Sequence, residues 1–291
     1  MRNHLNWVAK NSAEARLKKL LDAQKTSLPA VDTEKSSVKD GFYRAFEDKF
    51  RGTREEIKRR VRVYLPFVMP IAARHPGVSV LDLGCGRGEW LEVLKEAEIE
   101  GEGVDQDAGM LEGAHEQGLN VYQGDAIAFL QQQPSGTRIC ISLMHVVEHI
   151  PFDVLREVVS EAKRVLVPDG ILILETPNPE NFMVGSCNFY MDPTHRNPLP
   201  PPLLAFVPEY YGFEKTKILR LQETEEAKNK AFFSMEDFLT NISPDYSIVA
   251  RASAVPEQEV NSEEAAAWNK DYGISFSWMV SQNASNGSTK E

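Results

Sequence analysis

From residue 78 onward, short apolar runs alternate with stretches in which apolar side chains recur every three or four positions. That alternation is the form of a parallel sheet covered by helices on both faces, because a strand buried on both sides needs no polar face of its own. Strands are predicted at Ser79–Leu83, Glu102–Val104, Asn120–Gln123, Ile139–Leu143 and Ile171–Glu175, with helices between them at Glu89–Ala97, Met110–Gln117, Ala126–Gln131 and Phe152–Val165. The last helix carries Val154, Leu155, Val158, Val159, Ala162 and Leu166 along one face and meets Pro168-Asp169-Gly170, a stop signal followed by a strand. A proline-rich connection leads to a further helix near Leu203–Tyr211 and to two more strands, Lys215–Leu221 and Tyr246–Ala252. The segment between these two is short and polar, so an antiparallel pair is expected there rather than a second crossover.

Ahead of the sheet, from about Trp7 to Leu21, Val8, Leu17, Leu20 and Leu21 lie at loosely helical spacing, and the stretch from Thr26 to Asp40 is polar and contains Pro29. Phe42, Phe46, Phe50, Ile57, Val61 and Tyr64 fit further helices, with breaks expected near Gly52 and at Pro66 and Pro70. After Pro256 a short helical run, Glu263–Trp268, precedes an NASNGSTKE end of disordered composition. The expected layout is an amino-terminal helix and linker (1–40), a helical cap (41–75), an α/β domain (76–253) and a carboxyl-terminal tail (254–291).

Composition narrows the function more than the fold. A formal net charge of −11 argues against a surface that gathers nucleic acid, since binding phosphates needs clustered Lys and Arg. The one basic stretch, with Arg44, Lys49, Arg51, Arg54, Lys58, Arg59, Arg60 and Arg62, is interleaved with Glu47, Asp48, Glu55 and Glu56. It reads either as a solvated helical face or as a cap presenting arginines to an anionic substrate. The three cysteines, Cys85, Cys140 and Cys187, have no metal-type spacing and suit a reducing compartment. With no signal-peptide pattern and no apolar run of about 18 residues, a cytoplasmic protein is expected, reaching the inner membrane only peripherally and through partners.

The run Val80-Leu81-Asp82-Leu83-Gly84-Cys85-Gly86-Arg87-Gly88-Glu89-Trp90 is a strand, a glycine turn and a helix start. Gly84 and Gly86 let the backbone turn sharply against a ligand, and Gly88 allows close helix packing. Asp82 inside the strand end, Asp105 at the end of the next strand and Asp125 after the third all fall at strand carboxyl ends, where ligands of open α/β sheets bind. Carboxylates around the loop suit a cationic cofactor better than a pyrophosphate, which would want amides and a helix dipole instead. Asp82 can face an ammonium, Asp105 two ribose hydroxyls and Asp125 an adenine amino group, with Cys85, Gln106, Ala126 and Met144 as further cofactor contacts.

In motif and order, D-L-G-C-G-R-G, V-D, G-D-A, H-V-V-E-H and V-P-D-G-I-L resemble the class I S-adenosylmethionine-dependent methyltransferases, over about Gly77 to Ala252. The resemblance implies S-adenosyl-L-methionine as cofactor and a Rossmann-like α/β core, a mostly parallel seven-stranded sheet whose last strand is antiparallel. Methyl transfer from a sulfonium is an in-line displacement, so the enzyme aligns the acceptor and removes its proton. His149 is the candidate general base at the end of the fourth strand, with His145 and Glu148 competing for that role. Alternatively all three hold a divalent cation, Mg²⁺ or Mn²⁺, that lowers the acceptor's pKa. The segment is similar to the E-x-x-E-H of metal-binding ubiquinone-type O-methyltransferases, with His145 in place of the first glutamate.

After the fifth strand come E-T-P-N-P-E-N and D-P-T-H-R-N-P-L-P-P, a long polar loop of the kind that covers binding sites. Asn178, Asp192, His195 and Arg196 are the acceptor contacts expected from it, the alternative being a turn in which Asp192 and Thr194 cap backbone amides. Together with F-Y-R-A-F-E-D-K-F-R-G, these motifs resemble the methyltransferases of bacterial O-antigen and surface-polysaccharide clusters, some of which cap a growing glycan. That resemblance implies an O-methyltransferase acting on a sugar hydroxyl of a glycan or lipid-linked glycan, with an acidic sugar such as Kdo as one candidate and Tyr43, Arg44, Arg51 and Arg54 meeting its charge. It also implies a glycosyltransferase or membrane-bound assembly partner. A small-molecule O-methyltransferase and a non-catalytic cofactor-binding scaffold are the other readings. Oligomeric state is not legible.

Overall fold

Seven strands, β1 (Ser79–Leu83), β2 (Gly101–Asp105), β3 (Asn120–Gln123), β4 (Arg138–Met144), β5 (Leu166–Pro177), β6 (Lys215–Leu221) and β7 (Asp245–Arg251), form one sheet in the order β3-β2-β1-β4-β5-β7-β6. The β1, β2, β3, β4 and β5 pairings are parallel, and β7 runs antiparallel to both β5 and β6. This is the Rossmann-like α/β fold expected, including the antiparallel pair at its far edge. The computed structural model describes residues 49–50 and 52–287, and the unit that begins at Gly52 contains the whole sheet. The expected helix at Trp7–Leu21 and the residues Tyr43, Arg44 and Arg51 lie outside the described residues.

Helices α1 (Arg54–Val61) and α2 (Leu65–Arg74) precede the sheet; α3 (Glu89–Glu96), α4 (Ala108–Glu116), α5 (Ala126–Gln131) and α6 (Phe152–Val165) connect its parallel strands. Beyond β5 come α7 (Phe182–Ser186), α8 (Pro201–Tyr210), α9 (Glu225–Lys228), α10 (Met235–Thr240), α11 (Ser262–Asn269) and α12 (Phe276–Gly287). Strands β1, β4 and β5 bury nearly every side chain, so the core lies in two layers, one on each face of the sheet. Strand β5 is longer than the apolar run Ile171–Glu175 predicts: it begins directly after α6 and carries Pro168-Asp169-Gly170 through an irregular register against β4.

Pro70 does not break α2, although a proline inside a helix removes a hydrogen bond at roughly 3 kcal/mol. Phe67, Val68 and Ile71 beside it are fully buried in the core and offset that loss. Arg59 and Arg60 pair locally with Glu56, but Lys58 bridges Glu92 and Glu96 of α3, Arg54 pairs with Glu92, and Arg62, just past α1, with Glu96. The stretch is thus a clamp that fastens α1 to α3.

The tail folds back onto the same core. Trp268 of α11 stands edge-on to Phe67 at 5.3 Å, and the Arg251 guanidinium lies over its indole at 4.6 Å. Glu264, with a fully buried side chain, accepts from Arg74 at 2.9 Å and from Arg251. The compositional reading of an unstructured end also fails to reach Gly287, because α12 is tied down by Asn283, whose amide bonds the backbone of Phe233 in both directions. Removing one partner of a buried ion pair leaves an uncompensated charge, so Glu264→Gln is expected to lower unfolding free energy by roughly 3–5 kcal/mol, measurable by urea denaturation. A loss below about 1 kcal/mol, the size of a surface pair, would contradict the buried network.

Candidate active site

The loop after β1 is built around left-handed glycines. Gly84 has φ +74°, and a Cβ there would stand 2.5 Å from Val146 Cγ2; Gly88, at φ +79°, opens α3 with its Cβ position 2.9 Å from Leu119 Cδ1. Both needs are met only by glycine. The loop is held from the neighbouring strand: the amides of Gly84 and Cys85 donate to Val104 O, and that of Gly86 donates to Asp105 Oδ2 at 2.9 Å. Asp105 also accepts from its own turn, at Asp107 N. Asp82 is buried and accepts from Ser142 Oγ of β4 at 2.6 Å. Asp125 caps α5 through Oδ1, while its Oδ2 accepts from Gln106 Nε2 at 2.9 Å, so Gln106 and Asp125 bridge the ends of β2 and β3. Ala126 begins α5 directly behind this bridge, and Met144 is the buried last residue of β4.

Next to this loop, the end of β4 carries the acid–base chemistry. His145 adopts φ +57°, a left-handed conformation uncommon for a non-glycine residue and typical of functional sites. That turn sends its ring between Glu148 Oε1, 3.4 Å from Nδ1, and Glu175 Oε1, 3.3 Å from Nε2. Burial works against its charge, but the two carboxylates beside it outweigh that and raise its pKa well above the ordinary value. Glu175 also accepts from the Tyr64 hydroxyl, and Asp245, at the start of β7, completes this cluster. Burial pushes the Asp245 carboxyl up to about 6.

A second cluster stands on the other side of Glu148, where the ligand atoms of Glu148, His149 and His195 lie within 4.8 Å of one another. Glu148 is almost fully buried and its Oε2 accepts from Thr176 Oγ1 at 3.0 Å. Burial raises its pKa, but His145 and His149 outweigh burial and hold the carboxylate below its ordinary range. The His149 and His195 rings meet edge to face at 4.7 Å. Burial also lowers the pKa of His149, which is therefore neutral at physiological pH. The expected trio His145, Glu148 and His149 does not converge, because the left-handed turn carries His145 away toward Glu175 and Asp245.

The loop after β5 supplies His195, as expected from its position, and fixes it with backbone contacts. Asp192 Oδ1 accepts from the amide and hydroxyl of Thr194, and the Thr194 hydroxyl oxygen lies 2.8 Å from His149 Nδ1. Arg196 donates its amide to Glu148 O and its Nε to His149 O, fastening the loop onto the β4 end. Asn178 is fully buried with its amide committed to Ser243 O and Glu180 N, which leaves it no face for an acceptor. Arg54 is committed to Glu92 and to Arg87 O of the glycine loop. The residues missed in the sequence are Tyr64, Glu175, Thr176 and Asp245. Glu175 carries a usable signal, a carboxylate closing an apolar strand as Asp82 and Asp105 do; Asp245 reaches the site only through the reversal of β7.

A glycine cradle that one Cβ would fill, with buried or anchored carboxylates at three adjacent strand ends, fits a cationic sulfonium cofactor. Residues 50–218 match the family described as methyltransferase domain. An S-adenosylmethionine-dependent methyltransferase from Archaeoglobus fulgidus is 35% identical, with 72% of this chain and 99% of that chain aligned at a TM-score of 0.63. The chain belongs to the class I S-adenosylmethionine-dependent methyltransferases. More distant in sequence are a Thermotoga maritima methyltransferase described as a possible histamine N-methyltransferase (16% identity, 74% and 97% covered, TM-score 0.49) and a Haloferax volcanii putative methyltransferase in complex with the Trm112 activator (17%, 72% and 97%, 0.49). Curated proteins yield no match. Among the described residues no helix is long and apolar enough to cross a membrane.

In this methyltransferase, Gly84→Ala forces a side chain into a left-handed turn at roughly 1–3 kcal/mol and into contact with Val146. It is expected to weaken S-adenosylmethionine binding by calorimetry; unchanged affinity would contradict the cradle. Asp245 has its pKa raised to about 6 in the fold. Its ionisation therefore costs native stability that is absent below the unfolded value near pH 4, grows up to about 6 and stays constant above. Asp245→Asn is expected to raise the melting temperature at pH 7.5 and to lose that advantage as pH falls below 4; an equal gain at both ends would contradict the assignment.

Proposed function

We propose that this enzyme is an O-methyltransferase whose acceptor is a sugar hydroxyl of a bacterial surface glycan, carried as a lipid-linked chain, with a terminal acidic sugar such as Kdo as one candidate. The observation that carries the reading is the edge-to-face contact of His149, which follows β4, with His195 of the D-P-T-H-R loop. A hydroxyl is a poor nucleophile until it loses its proton, so such an acceptor needs a group that promotes that loss. The loop that supplies His195 is polar, with Asp192, Thr194 and Arg196 in it, as suits a sugar more than an aromatic ring.

In this reading Asp82 faces the cofactor's ammonium, Asp105 its ribose, and the Gln106–Asp125 bridge its adenine. The cofactor supplies an electrophilic methyl on sulfur. The acceptor oxygen forms its bond to that methyl carbon as the carbon–sulfur bond breaks, the sulfur leaves as a neutral thioether, and the acceptor proton departs toward the His149–His195 pair. With Arg54 held by Glu92, recognition of an acidic sugar falls, among the described residues, to Arg196.

Labelled S-adenosylmethionine offered with synthetic glycan ends, neutral and acidic, tests the reading directly. Transfer to one end is expected, with His149→Ala lowering turnover by roughly 10²–10⁴-fold while cofactor binding persists. Cofactor binding without transfer to any glycan would overturn the glycan assignment in favour of a small-molecule acceptor.

A further inference from the structure

The second cluster has the hydrogen-bond pattern of a metal site rather than of a base pair. His195 Nδ1 lies 2.6 Å from Phe189 O, a carbonyl that can only accept, so Nδ1 carries a proton and the neutral form of the ring presents its unshared pair on Nε2. His149 Nδ1 meets Thr194 Oγ1, whose single hydrogen already goes to Asp192 Oδ1 at 2.6 Å. The threonine oxygen must therefore accept from His149, which leaves Nε2 of His149 unprotonated as well. Glu148 is fixed in the same way, with Thr176 on Oε2, whereas Oε1 is buried and accepts no close hydrogen bond, its nearest cation being His145 Nδ1 at 3.4 Å. Three lone pairs, two of imidazole and one of carboxylate, are thus left to one small space, each with its other atom held by a carbonyl, a hydroxyl or a threonine. Metal-binding histidines characteristically donate their second N–H in this manner, which fixes the tautomer and aims the ring.

We propose that Glu148 Oε1, His149 Nε2 and His195 Nε2 form a binding site for a divalent transition-metal ion. His195 Nε2 and Glu148 Oε1 are 3.9 Å apart, within the span of two bonds of about 2.1 Å to a shared ion. Two imidazoles and one carboxylate suit zinc, iron, cobalt or manganese, whereas magnesium prefers an all-oxygen shell. The three groups leave coordination positions open, and an acceptor hydroxyl bound there has its pKa lowered by the ion. The site rests on the reading of the preceding subsection, in which an ion held there would replace the His149–His195 pair as the group that promotes loss of the acceptor proton, and its binding is measured without any methyl transfer.

The test is titration of the chelator-treated full-length chain with Co²⁺, followed by its visible d–d absorption and by competition with Zn²⁺. One equivalent is expected to bind, with His195→Ala weakening it by at least about 100-fold, since even an outer partner of a ligand is worth roughly 10–100-fold. Thr194→Val, which keeps the shape but removes the hydroxyl that orients His149, is expected to weaken it about 10-fold. Glu175→Gln, in the neighbouring His145 cluster, is expected to leave the spectrum in place. Calorimetry with S-adenosylmethionine reports which variants remain folded and separates this proposal from the functional one: a chain that binds Co²⁺ but no cofactor sinks that reading alone. No Co²⁺ absorption in a chain that binds cofactor, or absorption lost with Glu175→Gln but kept with His195→Ala, would overturn the site.

Discussion

The burial of the central strands on both faces is the constraint from which the rest follows. Every side chain of β1 is buried, and β4 and β5 are nearly as closed, so the sheet interior has little room for polar chemistry. Polar groups are driven to the strand ends, and at the carboxyl edge they collect: Asp82, Asp105 and Asp125 around the glycine loop, Glu148 and Glu175 beyond β4 and at the end of β5. The reversal of β7 adds the start of an antiparallel strand to that same edge, which is how Asp245 joins them. One edge of one sheet thus holds a cofactor cradle and two clusters of titratable side chains.

Within that edge Glu148 divides the chemistry. Its carboxylate faces His145 on one side and the His149–His195 pair on the other, and Thr176 occupies the oxygen that neither pair uses. The two histidine environments differ in charge as a result. His145, between two carboxylates, is held protonated, while His149, half-buried and bonded to a hydroxyl, is held neutral. A charged and a neutral imidazole within one short loop separate a structural role from a chemical one.

The fold was legible because its signals are local. Apolar runs, the Asp82 to Gly88 turn and the acids ending β2 and β3 each sit within a few residues of the structure they specify. Strand ends and the Pro70 helix were misjudged where tertiary burial outweighed local preference. At the site, His149 and Glu148 were visible as polar residues closing an apolar strand, and His195 as part of a dense polar loop. The partnership of His195 with Glu148 was not, because it joins residues 47 apart, nor was the departure of His145, which turns on one backbone angle. The arginine cap illustrates the same limit: Glu92 and Glu96, which take up Arg54, Lys58 and Arg62, belong to a helix on the far side of β1.

Both histidines donate from Nδ1 and so aim Nε2 of the neutral ring at Glu148, and nitrogen-15 NMR of the imidazoles reads this tautomer atom by atom. The structure predicts that His149 and His195 both carry their proton on Nδ1, with Nε2 shifts of an unshared pair. A neutral ring of either residue with its proton on Nε2 would contradict it.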